Sequence, residues 1–228
     1  MVNILEGLAL YTGVFSKNDE KRILDFVFNL RDRGRAGLLR PRTYSEPRKW
    51  MCRKGRITIQ CDCCYNFTED KQGNPTEILR YDEMDPKPYA IKRMVKWLIR
   101  WSILPPVCIP NSCIINIYEK GSCIPPHIDH HGFVRPFYTV SFISRSNILF
   151  RNEINIIGPG EFRGSIEIPL PMGSMLVLKG NGADLAKYCI LGVRYPRVFV
   201  IFRRIQDDKI PWGFLPDLEL KEMQPYEL

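Results

Sequence analysis

Between residues 112 and 203 the chain falls into short apolar runs with a two-residue period, and this patterning restricts the fold more than any other feature. Six segments carry it: 112–118, 137–143, 147–151, 165–169, 175–179 and 198–203. Successive side chains of a strand point to opposite faces, so each run can bury one face against a neighbour. Gly, Pro and Asn turns separate the runs, as in a β-sandwich or jelly roll. Two facing sheets leave an open mouth at one end, where residues far apart in sequence can converge.

Upstream the period changes to that of helices. Ser16 followed by Asp19 reads as a capping box variant opening a helix over 17–31, with Ile23, Val27 and Leu30 on one stripe widened by Leu24 and Phe28. After Pro86 and Pro88, residues 89–103 carry a second stripe, Ile91, Met94, Val95, Leu98 and Ile99, opposite Lys92, Arg93, Lys96 and Arg100. That basic face is expected to be solvated. Residues 56–60 and 61–67 read as strand, ending at a turn over 71–75. The expected fold is therefore mainly β with flanking helices, an α+β arrangement in which two N-terminal helices back one sheet.

A length of 228 residues with 45% hydrophobic composition supports one sizeable core and does not require two domains. We expect a single domain, with helices and a recognition segment over 1–111, the strand-rich core over 112–206, and an extension over 207–228 that wraps the core or frays. A formal net charge of +8 and a pI near 9.1 favour an anionic partner, although excess surface lysine gives the same sum. The basic residues from Arg31 to Arg56 alternate with Tyr44 and Trp50, a mixture suited to phosphate contact and base stacking.

The N-terminus carries no charged start followed by an apolar core and a cleavage site. The eight cysteines are therefore expected to be reduced thiols, in a protein of the cytoplasm with the nucleus as a second compartment. Cys61, Cys63 and Cys64 lack the distant second pair that structural zinc sites use. No apolar run approaches the length of a membrane span.

The residues with chemistry lie at 116–129. His127 and Asp129 are two apart, so on an extended backbone both side chains share a face and a metal could sit between them. H-x-D alone occurs by chance in many loops. Here it ends a longer pattern, N-x-Y-x-x-G-x5-H-x-D, filled by Asn116, Tyr118, Gly121, His127 and Asp129, and Arg197 and Arg203 follow six residues apart. This combination resembles the AlkB-like family of Fe(II)- and 2-oxoglutarate-dependent dioxygenases, strongly over 112–205 and more loosely before it. The wording P-P-H-I-D-H-H-G-F-V-R-P-F followed by G-N-G-A-D is similar to the plant group associated with N6-methyladenosine removal from RNA.

The resemblance implies a double-stranded β-helix, Fe(II) on His127 and Asp129, and 2-oxoglutarate held by Arg197 and Arg203 with hydrogen bonds from Asn116 and Tyr118. It implies single-stranded methylated RNA as substrate, contacted by Arg48, Trp50, Lys54, Arg56 and Tyr65 around the base. One position departs from the pattern: Tyr188 stands nine residues before Arg197, where the family has its second metal histidine. All three histidines, His127, His130 and His131, lie in one cluster, so no distant one replaces it. Three outcomes stay open: weak metal binding by two protein ligands, Tyr188 as an unusual third ligand, or loss of turnover with RNA or protein binding kept. A related sandwich dioxygenase acting on a protein or small molecule is the remaining reading, and the basic segment argues against it.

Overall fold

The computed structural model describes residues 3, 5–47, 55–65, 78–151, 154–164 and 166–227. Strand β1 (Leu8–Tyr11) leads into helix α1 (Lys17–Arg35), and strands β2 (Tyr44–Ser45) and β3 (Ile57–Asp62) precede helix α2 (Tyr89–Arg100). The strand-rich half follows with β4 (Ser112–Tyr118), β5 (Ile124–His127), β6 (Phe133–Phe142), β7 (Ser146–Arg151), β8 (Asn155–Gly158) and β9 (Glu161–Arg163). Then come β10 (Ile166–Leu170), β11 (Met175–Leu178), helix α3 (Asn181–Asp184), β12 (Lys187–Ile190), β13 (Arg197–Ile205) and helix α4 (Leu218–Lys221).

Seven strands bond in the order β1-β11-β6-β13-β4-β3-β2 and four in the order β10-β7-β12-β5, while β8 and β9 form a separate hairpin. The pairings within these sheets are antiparallel. The result is a double-stranded β-helix, mainly β, with α1 and α2 backing its larger sheet.

Alternation divides the core in two. Ile115 and Ile117 of β4, Val140 and Phe142 of β6, and Val200 and Phe202 of β13 pack with Val27 and Leu30 of α1 and Ile91 and Leu98 of α2. One residue out of step, Tyr118, Phe137 and Phe199 pack with Phe150 of β7 and Tyr188 of β12. Because the large sheet is covered on both faces, all seven residues of β4 are buried and its sequence reads as an almost unbroken apolar run. The face towards the small sheet also carries Asn116, Ser141 and Arg197, all buried, and this places polar chemistry between the sheets.

Ser16 caps α1, its Oγ accepting the Asp19 N–H at 3.1 Å. The helix continues past the expected end at residue 31, because its last turn places Arg33 and Arg35 at the negative end of the helix dipole. Arg31, Arg33 and Arg35 therefore belong to a helix. Helix α2 stops at Arg100, where Ser102 takes a left-handed φ of 56° and the Ile103 N–H bonds back to the Leu98 carbonyl.

The basic face of α2 differs from expectation. Lys92 pairs with Asp217 at 2.6 Å, Lys96 pairs with Glu219, and Arg100 donates to the Tyr226 hydroxyl at 3.0 Å. These contacts strap the extension over 207–227 across α2, with Leu220 buried, so this segment wraps the core.

Asp62 and Lys87 form a buried ion pair at 2.6 Å, and the Lys87 ammonium also donates to the Pro110 carbonyl at 2.8 Å. Lys87→Met should lower stability by about 3–5 kcal/mol by stranding a buried carboxylate. Lys96→Ala, at a pair with a largely exposed partner, should change it by under about 1 kcal/mol. Urea unfolding of the two variants checks the contrast.

Candidate active site

Two short strands of the small sheet set the first contact. His127 closes β5 and is the register partner of Tyr188 on β12, with ring centroids 4.5 Å apart. Asp129 follows two residues later and is buried. Its Oδ2 accepts a hydrogen bond from the Tyr188 hydroxyl at 2.7 Å, and its Oδ1 lies 3.4 Å from Arg203 Nη1. Arg203 comes from the far end of β13 in the large sheet and lies over the Phe133 ring at 3.9 Å. Residues from both sheets thus meet on one carboxylate.

Arg197, at the start of β13, is fully buried and lies over Phe199 at 3.9 Å from its ring centre. Its Nη2 donates to Ser141 Oγ at 2.6 Å. Its register partner on β4 is Tyr118, so the two side chains share the inner face. Asn116, on the same face, has its Oδ1 fixed by Arg56 Nε and Thr58 Oγ1, each at 3.1 Å.

Electrostatics decide the protonation states. Burial raises the Tyr188 phenol well above its ordinary value, and the Asp129 charge together with the hydrogen bond to it pushes the same way. Tyr188 is therefore a neutral donor. Burial lowers the His127 pKa, with Asp129 opposing. Its Nδ1 lies 2.9 Å from the Pro125 carbonyl, which can only accept, so the proton sits on Nδ1 and the Nε2 lone pair is open. Burial brings Arg197 down to about 10, partly offset by Tyr118, and Arg197 remains a cation at neutral pH.

These groups can be tested against the two cofactors that the sequence implies. Arg197 Nε, Arg197 Nη1 and the Tyr118 hydroxyl are buried without a hydrogen-bond partner among the described residues. Leaving such donors unmet is costly, and the planar fork of a guanidinium matches a carboxylate. The residues fit the distal carboxylate of a keto diacid. They do not complete an iron centre of two histidines and a carboxylate. His127 and Asp129 supply two ligands, whereas Tyr188 is a protonated phenol already donating to Asp129. No group of three His, Cys, Asp or Glu side chains suited to a metal occurs among the described residues.

Of the residues expected at the substrate, Tyr65 stacks on His130 with ring centroids 4.2 Å apart, and Arg56 is occupied in holding Asn116. Arg48, Trp50 and Lys54, together with Cys52 and the turn over 71–75, lie outside the described residues. Among the described residues Cys61, Cys63, Cys64, Cys108, Cys113 and Cys189 are free thiols. Ser141, Phe133 and Phe199 were not expected at the site. Only Phe199 carried a signal, as the residue two beyond Arg197 on the same strand face.

Arg135 ties the segment after β5 to α3. It donates to the Asp129 carbonyl at 3.2 Å and pairs with Asp184 of α3 at 2.7 Å. Two facing antiparallel sheets, H-x-D at the end of a small-sheet strand and two arginines on the central strand of the larger sheet are thus brought together, as the AlkB-like resemblance implied.

Comparison with known proteins narrows the class. No protein-family model matches the chain. It is 51% identical over all 228 residues to RNA demethylase ALKBH9B of Arabidopsis thaliana, covering 45% of that protein. It is 28% identical over 209 residues to RNA demethylase ALKBH10B of the same plant, covering 91% of this chain and 36% of the relative. Over 150 residues it is 31% identical to RNA demethylase ALKBH5 of Xenopus tropicalis, covering 62% of this chain and 38% of the relative. The chain spans less than half the length of these curated relatives.

Among solved structures, OsALKBH1 superposes with a TM-score of 0.50 at 13% identity, covering 87% of this chain and 96% of that one. A prolyl hydroxylase from Trichoplax adhaerens gives 0.51 at 10% identity, covering 89% and 85%. These two likenesses concern the fold alone. The chain is thus similar over its whole length to part of a protein named as an RNA demethylase.

Tyr188→Phe should destabilise the fold by about 1–3 kcal/mol, because it removes a donor from a buried carboxylate while keeping the ring. Urea unfolding measures the loss.

Proposed function

We propose that this domain is the catalytic module of an AlkB-type RNA demethylase, acting on N-methylated bases in single-stranded RNA, N6-methyladenosine foremost. The observation that carries the proposal is a cluster of His127, Asp129 and Arg203 on the same inter-sheet interior as Arg197 and Tyr118, the last two having buried donors without partners among the described residues. The likeness to named RNA demethylases supplies the substrate class. The co-substrates on this reading are 2-oxoglutarate and oxygen, with Fe(II) as the metal. Arg197 and Tyr118 take the distal carboxylate, and Asn116, fixed by Arg56, borders them. Arg203 holds Asp129 in place. Arg48, Trp50, Lys54 and Tyr65 are assigned to the RNA.

A target base must leave its stack to enter the mouth, and single-stranded RNA lowers that cost because fewer pairing contacts are broken. The domain acts as one unit in the cytoplasm, with the nucleus as a second compartment. Among the described residues no helix is long and apolar enough to cross a membrane.

A second reading, recognition of RNA without turnover, is favoured by the 2.7 Å hydrogen bond that commits Tyr188 to Asp129. Incubating the protein with a single-stranded N6-methyladenosine RNA, Fe(II), 2-oxoglutarate and ascorbate separates the two by mass spectrometry. Slow methyl loss is expected for this chain, with Tyr188→His faster by about tenfold or more, equivalent to at least 1.4 kcal/mol of barrier. RNA binding with no methyl loss in either protein supports the second reading, and absence of RNA binding removes both.

A further inference from the structure

We propose that the pocket takes up 2-oxoglutarate, or a keto diacid of similar size, without a divalent cation, because Tyr188 and Arg203 supply to Asp129 the charge and the bonds that a metal supplies in a complete centre. The identity of the ligand rests on the AlkB-type reading; its independence of metal rests on the geometry alone.

The argument begins at Asp129. A carboxylate withdrawn from water needs a cation and hydrogen bonds. Here the guanidinium of Arg203 lies 3.4 Å from one oxygen and the Tyr188 hydroxyl donates to the other at 2.7 Å. The carboxylate is neutralised and bonded by the chain itself. The register of β12 against β5 puts Tyr188 opposite His127, at the position of the missing third ligand, so the phenol is directed at the carboxylate by sheet pairing rather than by a chance rotamer.

At the other end the balance is reversed. Buried Lys87 has Asp62 and buried Arg203 has Asp129, but Arg197, with no exposed surface, has no acidic partner among the described residues. Ser141 meets one of its nitrogens and the Phe199 ring covers a face, while Nε and Nη1 stay open. The unmet charge of the pocket is thus positive and lies at Arg197. A diacid binding there gains its main electrostatic interaction from the guanidinium, and the outcome does not depend on whether a metal occupies the neighbourhood of His127.

Isothermal titration of 2-oxoglutarate into the protein, once in EDTA and once in excess Mn(II), tests this. The expected dissociation constants agree within about threefold, less than 1 kcal/mol. Binding seen only with Mn(II), or absent from both titrations, overturns the proposal. Arg197→Gln should weaken binding at least about tenfold by removing the fork. If that variant does not fold by circular dichroism, Arg197→Lys, which retains charge but not the bidentate geometry, should weaken binding in the same direction, and unchanged affinity overturns the proposal. Tyr188→His should make binding prefer Mn(II) over EDTA by about tenfold or more, since it supplies a second imidazole and so a third protein ligand. Continued indifference to metal in that variant would remove Tyr188 as the cause. Fluorescence anisotropy with N6-methyladenosine RNA distinguishes the two proposals: a chain that binds 2-oxoglutarate in EDTA but ignores RNA keeps this one and loses the assigned function.

Discussion

The carboxylate of Asp129 is the point on which the mouth of the domain depends. Its charge is buried, so it needs partners, and it draws one from each sheet: Tyr188 from β12 and Arg203 from β13. The interaction also fixes the chemistry of Tyr188. A carboxylate beside a buried phenol opposes a second negative charge, which keeps the proton on the tyrosine and makes it a donor. The same bond that satisfies Asp129 therefore removes Tyr188 from the set of good metal ligands.

Strand β13 delivers both arginines because of where it lies. It pairs with β6 on one side and β4 on the other, so its backbone is held along most of its length. Its inner face meets the small sheet and its outer face meets the helices, which leaves Arg197 and Arg203 no route to water. Each guanidinium instead lies on an aromatic ring, Phe199 and Phe133. A desolvated cation over a ring gains about 2 kcal/mol, which offsets part of its burial cost and leaves the fork edges directed at anions.

Much of this was legible before any coordinates. The segment over 112–118 coincides with β4, and the apolar residues assigned to α2 are the buried ones, because long periodic runs encode their partners strongly. What escaped were short elements. Strand β5 reads I-P-P-H, and two prolines argue against a strand; it pairs only because it is the last strand of the small sheet, where missing donors face no neighbour. Strand β12 has four residues and no clear period, so only the family resemblance singled out Tyr188, and its register against His127 was not legible. Ser141 and Phe133 are ordinary strand residues in sequence. Their roles arise from pairing across the sheet, which a linear pattern does not contain.

The charge sum was the least transferable part of the sequence. Lys92, Lys96 and Arg100 are spent on holding the C-terminal segment, Arg35 pairs with Glu46, Arg135 with Asp184, and Arg204 with Asp207. Arg56, at the mouth, is bonded to Asn116. Many of the cations behind the net +8 thus have intramolecular work, and the total overstates what remains for phosphates. For an unstacked base the proposed entrance offers rings as well as charge, since Tyr65 and His130 stand face to face beside Asp129. Stacking on such a pair is indifferent to sequence, because every base has a π face. On the proposed function, discrimination of a methylated base falls to the contacting groups His127, Asp129 and Tyr188, among which the phenol is the feature that sets this chain apart from a histidine-bearing one.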